Sequence, residues 1–171
     1  MEDFWGETED GYTGPPLTPE AVRAAESVLG YKLPESYLRL LRVRNGGSPR
    51  RCCYPTVVRT SWAEDHIRIT TLFGVGFERG IDGEHESRYM IREWGYPDVG
   101  VVIADTPSAG HDTVMLDYSE CGPQGEPRVI HVETESDEPV VTVLAPDFET
   151  FANGLVDCYK YDAEDDPLPN T

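Results

Sequence analysis

The stretch LGYKLPESYLRLLRVRNGG, Leu29 to Gly47, decides the fold class. It reads as the end of one helix, a proline restart, a second helix and an Asn-Gly-Gly stop. Tyr37, Leu38, Leu40 and Leu41 form an apolar band, and Arg39, Arg42 and Arg44 lie mostly off it. That spacing predicts an amphipathic helix. Pro34 suits the first turn, where the missing N–H costs nothing. Asn45, Gly46 and Gly47 tolerate the left-handed backbone and end the helix. Just upstream, Thr18 is placed to cap a first helix, with Pro19 at its first position and Glu20 near the positive end of its dipole. Leu17 and Val22 have the spacing of a hydrophobic staple. Val22, Ala25 and Leu29 recur on one face, and Gly30 can stop the helix at positive φ. The two helices form a hairpin with no chemistry on it. Its apolar face needs a sheet to cover.

Strand patterns follow. The segment near Val57 is short and ambiguous, and Ile67 to Gly74 alternates as a strand. Ser87 to Gly95 reads as a helix stopped by Gly95. Then VGVVIAD, DTVMLDY, PRVIHVET and PVVTVLA succeed one another, separated by turns rich in Pro, Gly and acids. Short Val- and Ile-rich runs with short connections favour an antiparallel meander. In the closing segment Phe148, Phe151, Leu155 and Tyr159 share the face of one more helix, with Asp147 in its first turn. The order predicts an α+β fold, a mainly antiparallel sheet with helices packed on one face. The expected organisation is a flexible acidic lead-in over 1–16, one domain over 17–160 and an acidic tail over 161–171.

At 171 residues and 39 % hydrophobic content the chain suffices for one core. Its net charge of -18 falls entirely beyond Thr60, while no acid lies between Ser36 and Ala63. Such a field repels phosphate backbones and anionic membranes and draws in a basic partner. Neither nucleic acid nor membrane is expected as a partner. The Arg39 to Arg59 cluster is expected to pair internally or face solvent, the alternative being the rim of an interface, where Arg is enriched. The acidic N-terminus is no signal peptide and no apolar run is long enough for a bilayer, so a reduced, cytoplasmic setting is expected. Cys52, Cys53, Cys121 and Cys158 are then thiols. They show no C-x-x-C spacing, so no zinc site is expected. The adjacent Cys52 and Cys53 read as one buried and one exposed thiol.

The most polar strand region runs from Ser108 to Glu135. A hydrolytic metal there would need His111, Asp112, Asp117 and His131, but ligand number and helical context are missing. The simpler reading has His111 and Asp112 setting a turn. No G-x-S-x-G elbow is present, Cys121 before Gly122-Pro123 reads as a turn, and the glycines of FGVGFERG lack dinucleotide spacing. No cofactor, metal or catalytic residue is expected.

The ordered set LPESYLRLLRVRNGG, IRITTLFGVG, LDYSECGPQGEPRVIHVETE and VVTVLAPDFETFANGL resembles the SMI1/KNR4 (SUKH) family from about Leu17 to Tyr159. The acidic TESDEP segment, Thr134 to Pro139, and the Arg-rich stretch after Asn-Gly-Gly depart from its pattern. The resemblance implies an α+β domain. It also implies that the chain is similar to bacterial immunity proteins that neutralise toxins, often nucleases, or to fungal regulatory scaffolds. The expectation is a non-enzymatic immunity protein that occludes a basic toxin domain. Its expected contacts are Asp105, Asp112, Asp117, Glu120, Glu126, Glu133 and Glu135. The alternatives are a regulatory ligand- or protein-binding module and a small metal-dependent hydrolase.

Overall fold

The computed structural model describes residues 3–162. The helical hairpin is α1 (Pro19–Leu29) and α2 (Glu35–Val43). Thr18 Oγ1 accepts the Ala21 N–H at 3.2 Å, and Gly30 closes α1 at φ 81°. A five-stranded antiparallel meander follows in the order β3 (Thr71–Leu72), β4 (Gly100–Asp105), β5 (Asp112–Asp117), β6 (Arg128–Glu133) and β7 (Val140–Ala145). A separate ribbon pairs β1 (Cys53–Pro55) with β2 (His66–Arg68). Helix α3 (Ser87–Trp94) packs on β4, and α4 (Phe148–Gly154) packs on β6, β7 and α2. The short α5 (Tyr159–Asp162) ends the described chain.

This is the expected α+β arrangement, with a wider cover. Every residue of β5 is buried, so the centre of the sheet is enclosed on both faces. The core joins Tyr37, Leu38 and Leu41 of α2 to Phe73, Val101, Ile103, Met115, Ile130, Phe148 and Phe151.

Three elements differ from the sequence reading. Ile67 to Gly74 is not one strand: it divides into β2 and β3, which belong to different sheets. The closing helix stops at Gly154, where a Cβ would sit 2.6 Å from the Tyr54 ring. Leu155 turns extended, Val156 bridges to Cys53, and Tyr159 is exposed rather than on a buried helical face. The lead-in is not loose over its described part. Trp5 is buried, the Gly6 N–H donates to Ser48 O at 2.8 Å, and the Arg50 N–H donates to Phe4 O at 2.7 Å. Arg44 and Thr8 bind the same segment through Gly6 O and the Ser48 N–H. Of the acidic tail, 163–171 lie outside the described residues.

The Asn-Gly-Gly segment does more than end a helix. Helix α2 has already stopped at Val43, and Asn45 is buried. Its amide mimics a peptide: Oδ1 accepts the Val75 N–H at 2.9 Å, while Nδ2 donates to Val75 O and to Pro15 O, both at 2.8 Å. Its own carbonyl accepts the Gly14 N–H at 2.8 Å. Gly46 sits at φ 94°, and a Cβ there would lie 2.7 Å from Tyr12 O. Gly47 then exchanges two backbone bonds with Leu72 of β3.

Replacing Asn45 by Ala leaves one buried N–H and two carbonyls without this partner. A loss of about 3 kcal/mol or more in urea unfolding is expected. Asn45→Asp supplies no donor for the two carbonyls and should not rescue. Asn153→Ala, on an exposed site of α4, should stay within about 0.5 kcal/mol.

Candidate functional site

The meander register sets the polar centre. Val114 of β5 stands opposite His131 of β6, and Asp112 opposite Glu133. The imidazole of His131 is fully buried, and its Nε2 meets Asp112 Oδ2 at 2.6 Å. Thr106 Oγ1 lies 2.6 Å from Asp112 Oδ1, and the Asp112 N–H donates to Ser108 Oγ at 3.0 Å. Ala109 at φ 57° and Gly110 at φ 99° fold the loop that brings Thr106 and Ser108 back to the strand. Burial pushes the Asp112 carboxyl up. Hydrogen bonds from His131, Ser108 and Thr106 outweigh it and hold the group below its ordinary range. The array resembles a Thr-Asp-His relay, yet no face of the imidazole reaches solvent. Its geometry serves to pin the β4–β5 loop to β6.

The other expected residues scatter. Asp117 is buried at the far end of β5, where its carboxylate takes the Arg128 guanidinium at 2.8 Å and the Ser119 N–H at 2.8 Å. Burial raises its pKa, but these bonds lower it further than burial lifts it. Five strand steps of about 3.4 Å put Asp112 and Asp117 roughly 17 Å apart. The four candidate metal ligands His111, Asp112, Asp117 and His131 are therefore not gathered. His111 is exposed beside the loop. Asp112 and Asp117 are corrected as partner contacts, because their oxygens are buried and already bonded. Asp105 is half-buried, and burial raises its pKa. Glu120 is exposed and pairs with Arg128 at 2.8 Å, and Glu133 accepts the Ser61 N–H at 2.5 Å. Glu126 and Glu135 are exposed. The arginine cluster pairs internally in large part: Arg39 with Glu149, Arg42 with Glu35, Arg50 with Asp3 and Arg59 with Glu64. Cys121 is exposed, and burial followed by the nearby Asp117, Glu126 and Glu120 charges raises its thiol pKa. A nucleophilic thiolate needs the opposite shift.

An accessible apolar surface that the sequence reading did not single out lies on β7. It is the terminal strand of the meander. Val140, Val141 and Val143 are each 43 to 53 % exposed, and Val57 and Val58 are exposed across a groove. The Tyr54 hydroxyl donates to Leu144 O at 3.0 Å and closes one end of that groove. Glu135, Asp137 and Glu138, all exposed, precede the strand directly. An apolar strip beside an acidic loop is the anatomy of a protein contact, an apolar centre with a charged rim. One available signal was position: PVVTVLA is the last strand of a meander and so an edge. A second concavity, between the lead-in, α2 and α4, is lined by Phe4, Arg39, Leu40, Arg51, Phe148 and Glu149. It gathers no acid and base poised for proton transfer, since Arg39 is bonded to Glu149 at 2.7 Å.

Asp112→Ala should cost about 3 kcal/mol, because it strands a buried imidazole. The pH dependence follows from the lowered folded-state pKa of Asp112 and Asp117. Their contribution is fully present above the unfolded value of about 3.9 and is lost as pH falls through the lower folded values. Urea midpoints between about pH 5 and pH 2 should fall in the parent and fall less steeply in Asp112→Ala.

Among the described residues no helix is long and apolar enough to cross a membrane. No curated protein and no solved structure matches the chain. The family model described as SMI1 / KNR4 family (SUKH-1) matches residues 16–154, which run from the lead-in to the end of α4 and include the hairpin, the meander and the buried Asp112–His131 pair. With most of its length under that match, the chain belongs to the SMI1/KNR4 family (SUKH-1).

Proposed function

We propose that this protein is a non-enzymatic immunity protein that binds a basic toxin domain and blocks its active site. The observation that carries the reading is the exposed valine strip of β7 set directly behind the acidic 134–138 loop. The strip supplies apolar area to bury, and the loop supplies a field that a phosphate-handling nuclease surface would complement. The net charge of -18 acts in the same sense over longer range. The contacts we assign are Val141 and Val143 at the centre, with Glu135, Asp137 and Glu138 at the rim. Glu120, Glu126, Glu133 and Asp105 contribute to the surrounding field. Family membership is compatible with this role. A cytoplasmic setting fits it, since a toxin that degrades nucleic acid must be met there.

Co-expression with the protein encoded immediately upstream tests the reading: that protein's toxicity should be relieved and the two chains should co-purify. Val141→Asp with Val143→Asp should weaken binding by about 2 kcal/mol or more and abolish rescue, with the melting temperature unchanged. Association should slow by about tenfold or more as salt rises from low to high. Stable expression without rescue, or an association rate indifferent to salt, would count against it.

A further inference from the structure

Three sulfurs from two distant parts of the chain meet at one point. Cys52 and Cys53 enter from the start of β1, and Cys158 from the segment after α4, 106 and 105 residues later. Their Sγ atoms all lie within 4.8 Å of one another. The backbone builds this meeting independently of the thiols. The Cys53 N–H donates to Val156 O at 3.2 Å, and the Val156 N–H returns a bond to Cys53 O at 2.8 Å. That bridge lays 155–158 along β1 and delivers Cys158 beside the vicinal pair. Cys53 and Cys158 are buried, whereas Cys52 is half-buried.

We propose that Cys52, Cys53 and Cys158 form a three-thiolate site for a thiophilic d10 cation, zinc(II) or copper(I). Metal–sulfur bonds of about 2.3 Å place the sulfurs of such a site roughly 4 Å apart. Cα separations of 5.2 Å and 6.1 Å from Cys158 to its two neighbours leave that spacing to side-chain rotation. The Cys158 sulfur touches the sulfurs of both Cys52 and Cys53, where separate thiols were expected, and the same Cα separations suit a disulfide. Yet Cys158 can bond one sulfur at a time, which leaves the third thiol without a role. A metal uses all three. Soft thiolate donors select these ions over calcium or magnesium. Binding releases the three thiol protons to solvent, and no electron is transferred. Cys52 opens onto a surface recess that also holds Glu7, Glu9 and Asp105, so carboxylates line the approach for a cation. Arg68 in the same recess offsets the residual negative charge of the loaded site. A zinc ion would complete its tetrahedron with solvent on the Cys52 side, and copper(I) would remain three-coordinate. The absence of C-x-x-C spacing concealed the set, because its ligands converge through the fold and not through a knuckle.

The test uses the full chain, reduced and handled without oxygen, titrated with zinc(II) or copper(I) against a chromophoric competitor. One equivalent should bind. X-ray absorption should show three sulfurs, plus one light atom for zinc and none for copper. Cys52→Ser, at the half-buried position and so least apt to disturb folding, should weaken binding by more than about 100-fold, beyond the loss of an outer-shell partner. Cys158→Ser should do the same, and Cys121→Ser should bind like the parent. A reduced chain that takes up neither ion overturns the proposal, as does a Cys52→Ser or Cys158→Ser variant that binds like the parent. A Cys53–Cys158 disulfide that persists at cytosolic glutathione ratios also overturns it.

Discussion

The side-chain amide of Asn45 holds the architecture together. It ties three chain segments to one another: the lead-in at Pro15, the 73–75 stretch at Val75, and its own place at the end of the hairpin. A buried amide with all of these bonds made is stable, whereas one left half-satisfied is costly. The constraint propagates to its neighbours. Gly74 must lack a side chain, since a Cβ would collide with Asn45 O. Gly46 must take φ 94° beneath Tyr12. With this corner fixed, α2 lies so that the buried Tyr37 hydroxyl reaches Phe73 O at 2.5 Å. The hairpin is thereby seated on the sheet edge, and the Leu40 and Leu41 side chains enter the core.

The parts legible in the sequence are those set by local rules. Thr18, Pro19, Gly30, Gly95 and Asp147 each stand where capping physics requires, and the four long strands repeat with turn residues between them. The misread parts depend on contacts distant in sequence. Ile67 to Gly74 has strand character throughout, but Cys52 O takes the Ile69 N–H and Asp105 O takes the Thr70 N–H, so the run is shared between two sheets. The helical period through Leu155 and Tyr159 is real as a pattern. It loses to the Tyr54 ring pressed on Gly154 and to the Cys53–Val156 bridge. The lead-in has the composition of a solvated segment and is retained by Trp5, whose burial no periodicity announces.

The candidate site shows the same division more sharply. Acidic residues are exposed by default, so Asp112 and Asp117 read as surface groups. Each is instead bonded to one basic side chain across β5 and β6, and the pairing depends on register, which a one-residue slip would reverse. Val141 and Val143 belong to the strand run PVVTVLA, and alternating valines in a strand usually face a core. Here the sheet ends at β7, and none of the described residues covers them. Polarity is thus inverted at both places, carboxylates inside and valines outside.

That inversion bears on function. A catalytic acid must reach substrate, and the most enzyme-like array among the described residues, Asp112 with His131, is enclosed on every side. A relay without access does structural work. Exposed valines carry the opposite implication. Leaving an edge strand apolar invites association, and natural sheets guard against it with charge. On this chain the guard stands beside the strip, in Glu135, Asp137 and Glu138, and leaves the valines themselves open. Under the proposed function, acids beside the strip would oppose a second copy of so acidic a chain and favour a basic surface, because like fields repel. Selectivity of that sign needs no pocket and no reactive group. It needs an ordered edge, and β7 is paired along its length to β6, whose His131 is bonded in turn to Asp112 of β5.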